Sequence, residues 1–298
     1  NYTPLYKGRH YFYDTGYNQI LYVDDQGTVL YPDEHKGEVK GDRNWMSLSM
    51  ETIDGQKPSV YTESETTNEN GVRTKTITAT ATSAKEMTYV LEQYNGMTTK
   101  PNLKLTISGT IDMMGSSCVI EKIDNSANVE IIGINNAVIK NMSSDKTMVR
   151  SNENGAHEDA NYNVSTLFSE VKSGSSLTIK DIQFDNINVK SLDGGNVGLL
   201  VAAVNGHVAV ENVTIGNSTV IGHRNVGAVI GIVAGGYAPN MSLSLKNVTL
   251  NSVDVKTVGG RSAMVVGYIG TNNVTLDSIS VKNTSLSIYK NEASNQVI

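Results

Sequence analysis

The segment Leu177–Val189, LTIKDIQFDNINV, decides the fold because closely similar segments follow it three more times. These are Val208–Val220 (VAVENVTIGNSTV), Leu243–Val255 (LSLKNVTLNSVDV) and Val274–Leu286 (VTLDSISVKNTSL). Their starts at 177, 208, 243 and 274 are separated by 31, 35 and 31 residues. Such a period is typical of proteins built by stacking one supersecondary unit. We therefore expect repeats that bury a shared core against their neighbours.

Apolar residues stand at the first, third, sixth, eighth and thirteenth places of each segment. This is the period-two pattern of a strand with one buried face, and its change of phase near the fifth place predicts a bend. The fifth and tenth places hold only Asn, Asp or Ser, which suit corners because Asn and Asp tolerate left-handed backbone. The predicted corner residues are Asp181, Asn186, Asn212, Asn217, Asn247, Ser252, Ser278 and Asn283.

A second apolar run follows a glycine-rich turn in three of the repeats, at Asn196–Val204, Asn225–Val233 and Arg261–Ile269. Small residues recur in register within these runs. A cofactor-binding glycine motif is the alternative, but recurrence on every repeat favours close packing between stacked strands. The small residues are Gly198, Gly227 and Ala263 at one place and Ala202, Gly231 and Gly267 at another.

The part of the chain before the repeats divides into several predicted segments. Residues 1–82 are expected to form a small β-rich region with hairpins at 20–31 and 61–80. A capping box at Ser83 and Glu86 begins a helix over 83–95, which we expect to cap the N-terminal end of the stack. Two tighter units follow at 103–111 and 129–139, then an irregular insertion at 142–176, with regular repeats from 177.

Two features of this pattern resemble known families. The Val-Gly-x-x-x-Gly strands, alternating with segments such as Lys246–Leu250, resemble GLUG-type repeats of bacterial adhesin-like surface proteins. The helix followed by Leu105–Ile111 and Ile131–Ala137 is similar to the first turns of the pectate-lyase-like right-handed β-helix superfamily. The resemblance covers about residues 83–298 and implies an all-β, right-handed parallel β-helix. It also implies a bacterial protein that is extracellular or at the cell surface.

Composition excludes several classes of function. The chain of 298 residues has 30 acidic and 24 basic residues, a formal net charge of -6, and no basic cluster of the kind that binds nucleic acid. Its longest apolar stretch is too short to cross a bilayer, so we predict no membrane insertion within this chain. The single cysteine, Cys118, excludes an intrachain disulfide and is expected to be buried and inert. No cofactor or metal motif was identified.

Two functions of different class remain open from the sequence. The favoured one is a non-catalytic, adhesin-like protein whose Thr, Ser and Asn faces contact glycans or host surface proteins. The alternative is a lyase or hydrolase acting on acidic polysaccharide, because the glycine-rich turns bring basic and acidic residues to neighbouring repeats. The candidate catalytic residues of that alternative are Asp193, His223, Arg224 and Arg261.

Two further predictions concern binding. A loop rich in carboxylates is a candidate ligand-binding site, although its spacing matches no calcium or zinc loop. Its residues are Glu153, His157, Glu158 and Asp159. At the other end, the last repeat would leave an exposed sheet edge, so we expect the N-terminal region, further sequence or a partner to cover it.

Overall fold

The computed structural model describes residues 9–14, 19–24, 29–30, 53–67, 69–71, 73–145, 163–191, 195–234, 240–257 and 260–288. Within these ranges the secondary structure is one α-helix and 23 β-strands. The prediction of an all-β protein with parallel sheets is confirmed. The loop residues Glu153, His157, Glu158 and Asp159, together with Asp193, lie outside the described residues.

The N-terminal strands form two antiparallel units, as the sequence predicted. Strands β1 (Arg9–Asp14), β2 (Gln19–Asp24) and β3 (Val29–Leu30) make a three-stranded sheet, in which β2 and β3 form the first predicted hairpin. Strands β4 (Val60–Thr67) and β5 (Arg73–Ala81) form the second. However, β5 also pairs in parallel with the next strand of the chain, so the predicted boundary at residue 82 falls inside one continuous sheet.

Helix α1 (Ala84–Gly96) begins as the sequence predicted. The Ser83 hydroxyl oxygen accepts from the Glu86 N–H at 3.3 Å, and the Glu86 carboxylate accepts from the Thr82 N–H at 2.8 Å. At the other end, the buried Lys100 ammonium donates to three carbonyl oxygens of the last turn and its exit. The apolar face of the helix is buried against β5 and the strand after the helix, where the parallel stack begins.

The remaining strands carry the parallel stack. They are β6 (Asn102–Asp112), β7 (Asn128–Lys140), β8 (Ser143–Asp145), β9 (Asn163–Val164), β10 (Phe168–Val171), β11 (Ser176–Lys180), β12 (Gln183–Asp185), β13 (Asn188–Lys190), β14 (Asn196–Gly198), β15 (Val201–Val204), β16 (His207–Gly222), β17 (Asn225–Gly227), β18 (Ile230–Val233), β19 (Ser242–Thr257), β20 (Arg261–Ala263), β21 (Val266–Ile269), β22 (Val274–Lys282) and β23 (Ser285–Ile288).

These strands belong to three sheets, and the repeats that begin at residues 177, 208 and 243 contribute to all of them. The largest sheet runs in the order β22-β19-β16-β11-β7-β6-β5-β4, and the two others run β10-β15-β18-β21 and β20-β17-β14-β9. The pairing keeps the register read from the sequence: Leu177 pairs with Val208, Val208 with Leu243, and Leu243 with Val274. Apolar side chains at the alternating places are buried in one continuous core.

The corners behave as their residue types predicted. All eight corner residues have left-handed backbone, with φ between 48° and 60°. Their side chains also bond between repeats: the Asn247 Nδ2–H donates to Asn212 Oδ1 at 3.0 Å, and the Asn212 Nδ2–H donates to Asp181 Oδ1 at 2.8 Å. The corners therefore satisfy both a backbone requirement and a hydrogen-bonding one.

The glycine-rich strands pack as closely as predicted. Gly198, Gly227 and Ala263 are in register on β14, β17 and β20. A Cβ atom placed on Gly231 would lie 2.6 Å from the Ala202 carbonyl oxygen and 2.7 Å from the Val197 nitrogen. The small residues thus allow the backbones of neighbouring strands to approach, and the packing explanation of the glycine pattern is confirmed.

The predicted insertion at 142–176 is wrong at both ends. Strand β8 pairs with β13, while β9 and β10 pair with β14 and β15 in the register of the later repeats. Asn163 stands opposite Asn196, and Phe168 stands opposite Val201. Polar composition concealed these strands, because Ser165, Thr166 and Ser169 stand where the next repeat has Gly198, Leu199 and Ala202.

The last described repeat differs from the others in burial. Leu276 is 51% exposed, whereas Leu245, its partner on the neighbouring strand, is 0% exposed. Val281 and Leu286 are likewise exposed although their partners Leu250 and Val255 are buried. Within residues 260–288, this end of the core is uncovered. That something covers it stays a prediction.

Candidate functional site

The cluster predicted at the glycine-rich turns is formed in part. His223 and Arg224 link the end of β16 to the start of β17, and Arg261 begins β20 in the next repeat. The Arg261 N–H donates to the Arg224 carbonyl oxygen at 2.5 Å, so the two arginines are neighbours across the stack. The Thr257 hydroxyl donates to the His223 carbonyl oxygen at 3.4 Å. Arg224 and Arg261 are exposed, and His223 is half-buried.

Arg261 occupies a position that asparagine holds in the preceding repeats. The Asn225 Nδ2–H donates to Asn196 Oδ1 at 2.6 Å, and the Asn196 Nδ2–H donates to Asn163 Oδ1 at 2.7 Å. Arg261 pairs with Asn225 in the strand register, but its guanidinium carbon lies 4.1 Å from the centroid of the Tyr268 ring. This cation–π contact orients the guanidinium. Sequence reasoning missed Tyr268, which stands seven residues later on the next strand.

The chemistry available at this cluster is attraction of an anion. Two arginines on neighbouring repeats offer planar donors that match carboxylate or sulfate groups. Among the residues with described side chains, no group of three or more His, Cys, Asp or Glu residues is arranged to hold a metal ion.

A second site, which sequence reasoning missed, is a groove of about 290 Å³ at another corner of the stack. All seven lining residues are uncharged. Three of them, Asn141, Asn186 and Asn188, present side-chain amides. The residues lining the groove are Met114, Gly115, Asn141, Met142, Ser143, Asn186 and Asn188.

The three asparagines form a directed chain of hydrogen bonds. The Asn188 Nδ2–H donates to Asn186 Oδ1 at 2.9 Å, and the Asn186 Nδ2–H donates to Asn141 Oδ1 at 2.7 Å. The Asn141 Nδ2–H in turn donates to Asp112 Oδ1 at 2.9 Å. The sequence showed Asn186 only as a corner residue, and the groove was not foreseen because Met114 and Asn141 precede the regular repeats.

Electrostatics hold the carboxylate at the end of this chain in its ionised form. The bonds from the Asn141 amide and from the Met114 N–H, followed by Lys140, keep the pKa of Asp112 below its ordinary value. The Lys140 ammonium lies 3.4 Å from the Asp112 carboxylate and compensates its charge. The chain of amides therefore ends, outside the groove lining, on a paired carboxylate that accepts from protein groups.

Cys118 has no place in either site. Its thiol packs beside the Thr88 carbonyl oxygen under α1. Burial raises the pKa of the thiol to about 12, so little thiolate forms near neutral pH. The raised pKa agrees with the predicted inert thiol, whereas Cys118 is half-buried and the predicted full burial is not observed.

Comparison with known proteins found no matching family model, no similar curated protein and no similar solved structure. The resemblance to GLUG-type and pectate-lyase-like proteins thus stays a prediction. Across the described ranges, no helix has the length and apolar character needed to cross a bilayer.

Proposed function

We propose that this chain is an adhesin-like binding protein, secreted by or anchored on a bacterial cell, that contacts glycans or host surface proteins. Its fold in this proposal is a right-handed parallel β-helix related to GLUG-type and pectate-lyase-like proteins. Support for the winding comes from three sheets to which three successive repeats contribute in turn, and from the general right-handedness of parallel crossovers.

The observation that supports the binding proposal is that polar side chains stand in register on neighbouring strands of the stack. Gln183, Thr214, Thr249 and Ser280 form one column across four neighbouring strands. Neighbouring strands are about 4.8 Å apart, so the column repeats hydrogen-bonding groups at that spacing. Each hydroxyl both donates and accepts, as sugar hydroxyls do. A long glycan lying across the repeats would gain avidity from many weak contacts.

A specific observation favours the second candidate, an enzyme or binder for acidic polysaccharide. Arg224 and Arg261 lie on neighbouring repeats beside His223, and both arginines are exposed. The positive charges of the two arginines would attract a uronate carboxylate there. A lyase also needs a base that removes the proton beside that carboxylate. In this alternative function Asp193, which lies outside the described residues, belongs to the same cluster.

One experiment separates the two candidates. The full chain is applied to a glycan array that includes neutral and uronate-containing glycans, and the same glycans are followed by ultraviolet absorbance for unsaturated uronate. We expect binding without turnover. Turnover would establish the enzyme instead, and in that case replacing His223 and Arg224 together with alanine should abolish it. Neither binding nor turnover on any glycan would contradict the glycan-binding proposal.

A further inference from the structure

The groove beside Asn141 carries backbone strain at an exposed apolar residue. Met114 has φ of 51°, a left-handed conformation that is costly for a long side chain. Its side chain is nonetheless 59% exposed, so burial does not repay the strain. Strain of this kind concentrates at binding sites, where it fixes a side chain in a required position. Met114 and Gly115 are the central residues of a turn closed by the bond from the Ser116 N–H to the Met113 carbonyl oxygen at 2.8 Å, and this turn holds Met114 at the rim of the groove.

The amide chain leaves unused hydrogen-bonding capacity on two residues that line the groove. Each asparagine side chain has two N–H donors and an oxygen with two lone pairs. In Asn186 one donor serves Asn141 Oδ1, and one lone pair receives the Asn188 Nδ2–H. Asn141 likewise donates one N–H to Asp112 and receives one bond from Asn186. A second donor and a second lone pair remain on each of these two amides for a ligand.

A ligand that uses one donor and one acceptor of the same amide must offer both roles on adjacent atoms. Neighbouring hydroxyls of a sugar ring do this, whereas a carboxylate only accepts. Bonds already aligned in a chain strengthen the next bond that joins them. The lining residues carry no charge, and the nearby Asp112 carboxylate is paired with Lys140, so nothing in the lining attracts an anionic ligand.

The size and apolar surface of the groove point the same way. Its volume of about 290 Å³ lies at the lower end of small-molecule pockets, which suits one ring rather than an extended ligand. The exposed Met114 side chain offers polarizable apolar surface to the C–H face of such a ring.

We propose that the groove lined by Met114, Asn141, Asn186 and Asn188 binds one neutral sugar ring, with adjacent hydroxyls on the Asn141 and Asn186 amides and the ring face on Met114. This inference rests on the proposed glycan-binding function and assigns it a site. It also assigns a ligand class, a neutral glycan. The cluster of His223, Arg224 and Arg261 would instead select an acidic glycan.

Matched variants test the site without disturbing the fold. Asn186→Gly and Asn217→Gly each keep a corner at which glycine adopts positive φ without strain, and each removes an amide that donates to the preceding repeat. Only Asn186 lines the groove. Met114→Gly removes the apolar contact and relieves the strain, so it should fold at least as well as the original chain.

The measurement is calorimetric titration of the full chain with soluble mannan, dextran and galactan, with polygalacturonate as the acidic comparison. We expect binding to at least one neutral glycan, weakened about tenfold by Asn186→Gly and about fivefold by Met114→Gly, while Asn217→Gly changes it less than twofold. Far-ultraviolet circular dichroism checks that each variant is folded.

The possible outcomes distinguish a failure of the groove proposal from a failure of the proposed glycan-binding function. Neutral-glycan binding that both groove variants retain in full would overturn the site and leave the binding function standing. Binding to polygalacturonate alone would overturn the ligand class. If the original chain bound none of the four polysaccharides, both the inference and glycan recognition as tested here would be overturned.

Discussion

Replacing Gly231 with alanine is expected to destabilise the protein by about 3 kcal/mol or more, the upper range for overpacking a tight interior. The added methyl carbon would lie 2.6 Å from the Ala202 carbonyl oxygen and 2.7 Å from the Val197 nitrogen. Both are backbone atoms, so no side-chain rotation relieves the overlap. The strands of neighbouring repeats would have to separate, which weakens the hydrogen bonds and the packing between those repeats. Urea unfolding followed by circular dichroism measures the loss.

Gly96→Ala provides the matched control, because it makes the same chemical change where space is open. No heavy atom lies within 4 Å of the position of its Cβ, and Gly96 has no positive φ. Alanine also favours helix, so we expect a change between zero and about 1 kcal/mol of stabilisation. Equal unfolding midpoints for the two variants would contradict the close-packing role of the glycine column.

The second large effect concerns two leucines at the same place in neighbouring repeats. Leu245→Ala should cost about 3 kcal/mol, because Leu245 is fully buried and its removal leaves a cavity. Leu276→Ala should cost about 1 kcal/mol or less, because half of that side chain is already exposed to solvent. The two residues pair directly in the strand register, so chemistry and position are matched.

The comparison also tests the open end of the core. The free energies of unfolding of both variants are obtained from urea titrations at several protein concentrations. A cost for Leu276→Ala as large as that for Leu245→Ala would show that Leu276 is covered in solution. Dependence of that cost on protein concentration would then identify a second copy of the chain as the cover.

Much of the fold could be predicted because the residue pattern of each repeat indicates which positions are buried and which form corners. Alternation of apolar residues predicts the buried face, and Asn, Asp or Ser at the fifth and tenth places predicts the corners. The start of α1 could also be predicted, because Ser83 and Glu86 accept from backbone N–H groups at the helix N-terminus that have no partner within the helix. These features are local, and a local pattern suffices to specify them.

What the sequence did not reveal depends on contacts between distant segments. Strand β5 joins the stack through its pairing with β6, which no local signal distinguishes from a free hairpin. Strand β10 was overlooked because Phe168 and its neighbours share register, not composition, with Val201. Met114 and Asn186 line the same groove although they are far apart in the sequence, and their spacing along the chain does not predict that they are neighbours.

The amide chains give the stack a direction. A carboxylate can only accept, so the bond to Asp112 compels Asn141 to donate and, in turn, fixes the sense of the Asn186 and Asn188 bonds. The Asn247–Asn212–Asp181 chain runs in the same sense, from later repeats toward earlier ones. An asparagine added at such a corner by a further repeat would therefore have to donate to the repeat before it, and these two chains can be extended in one sense only.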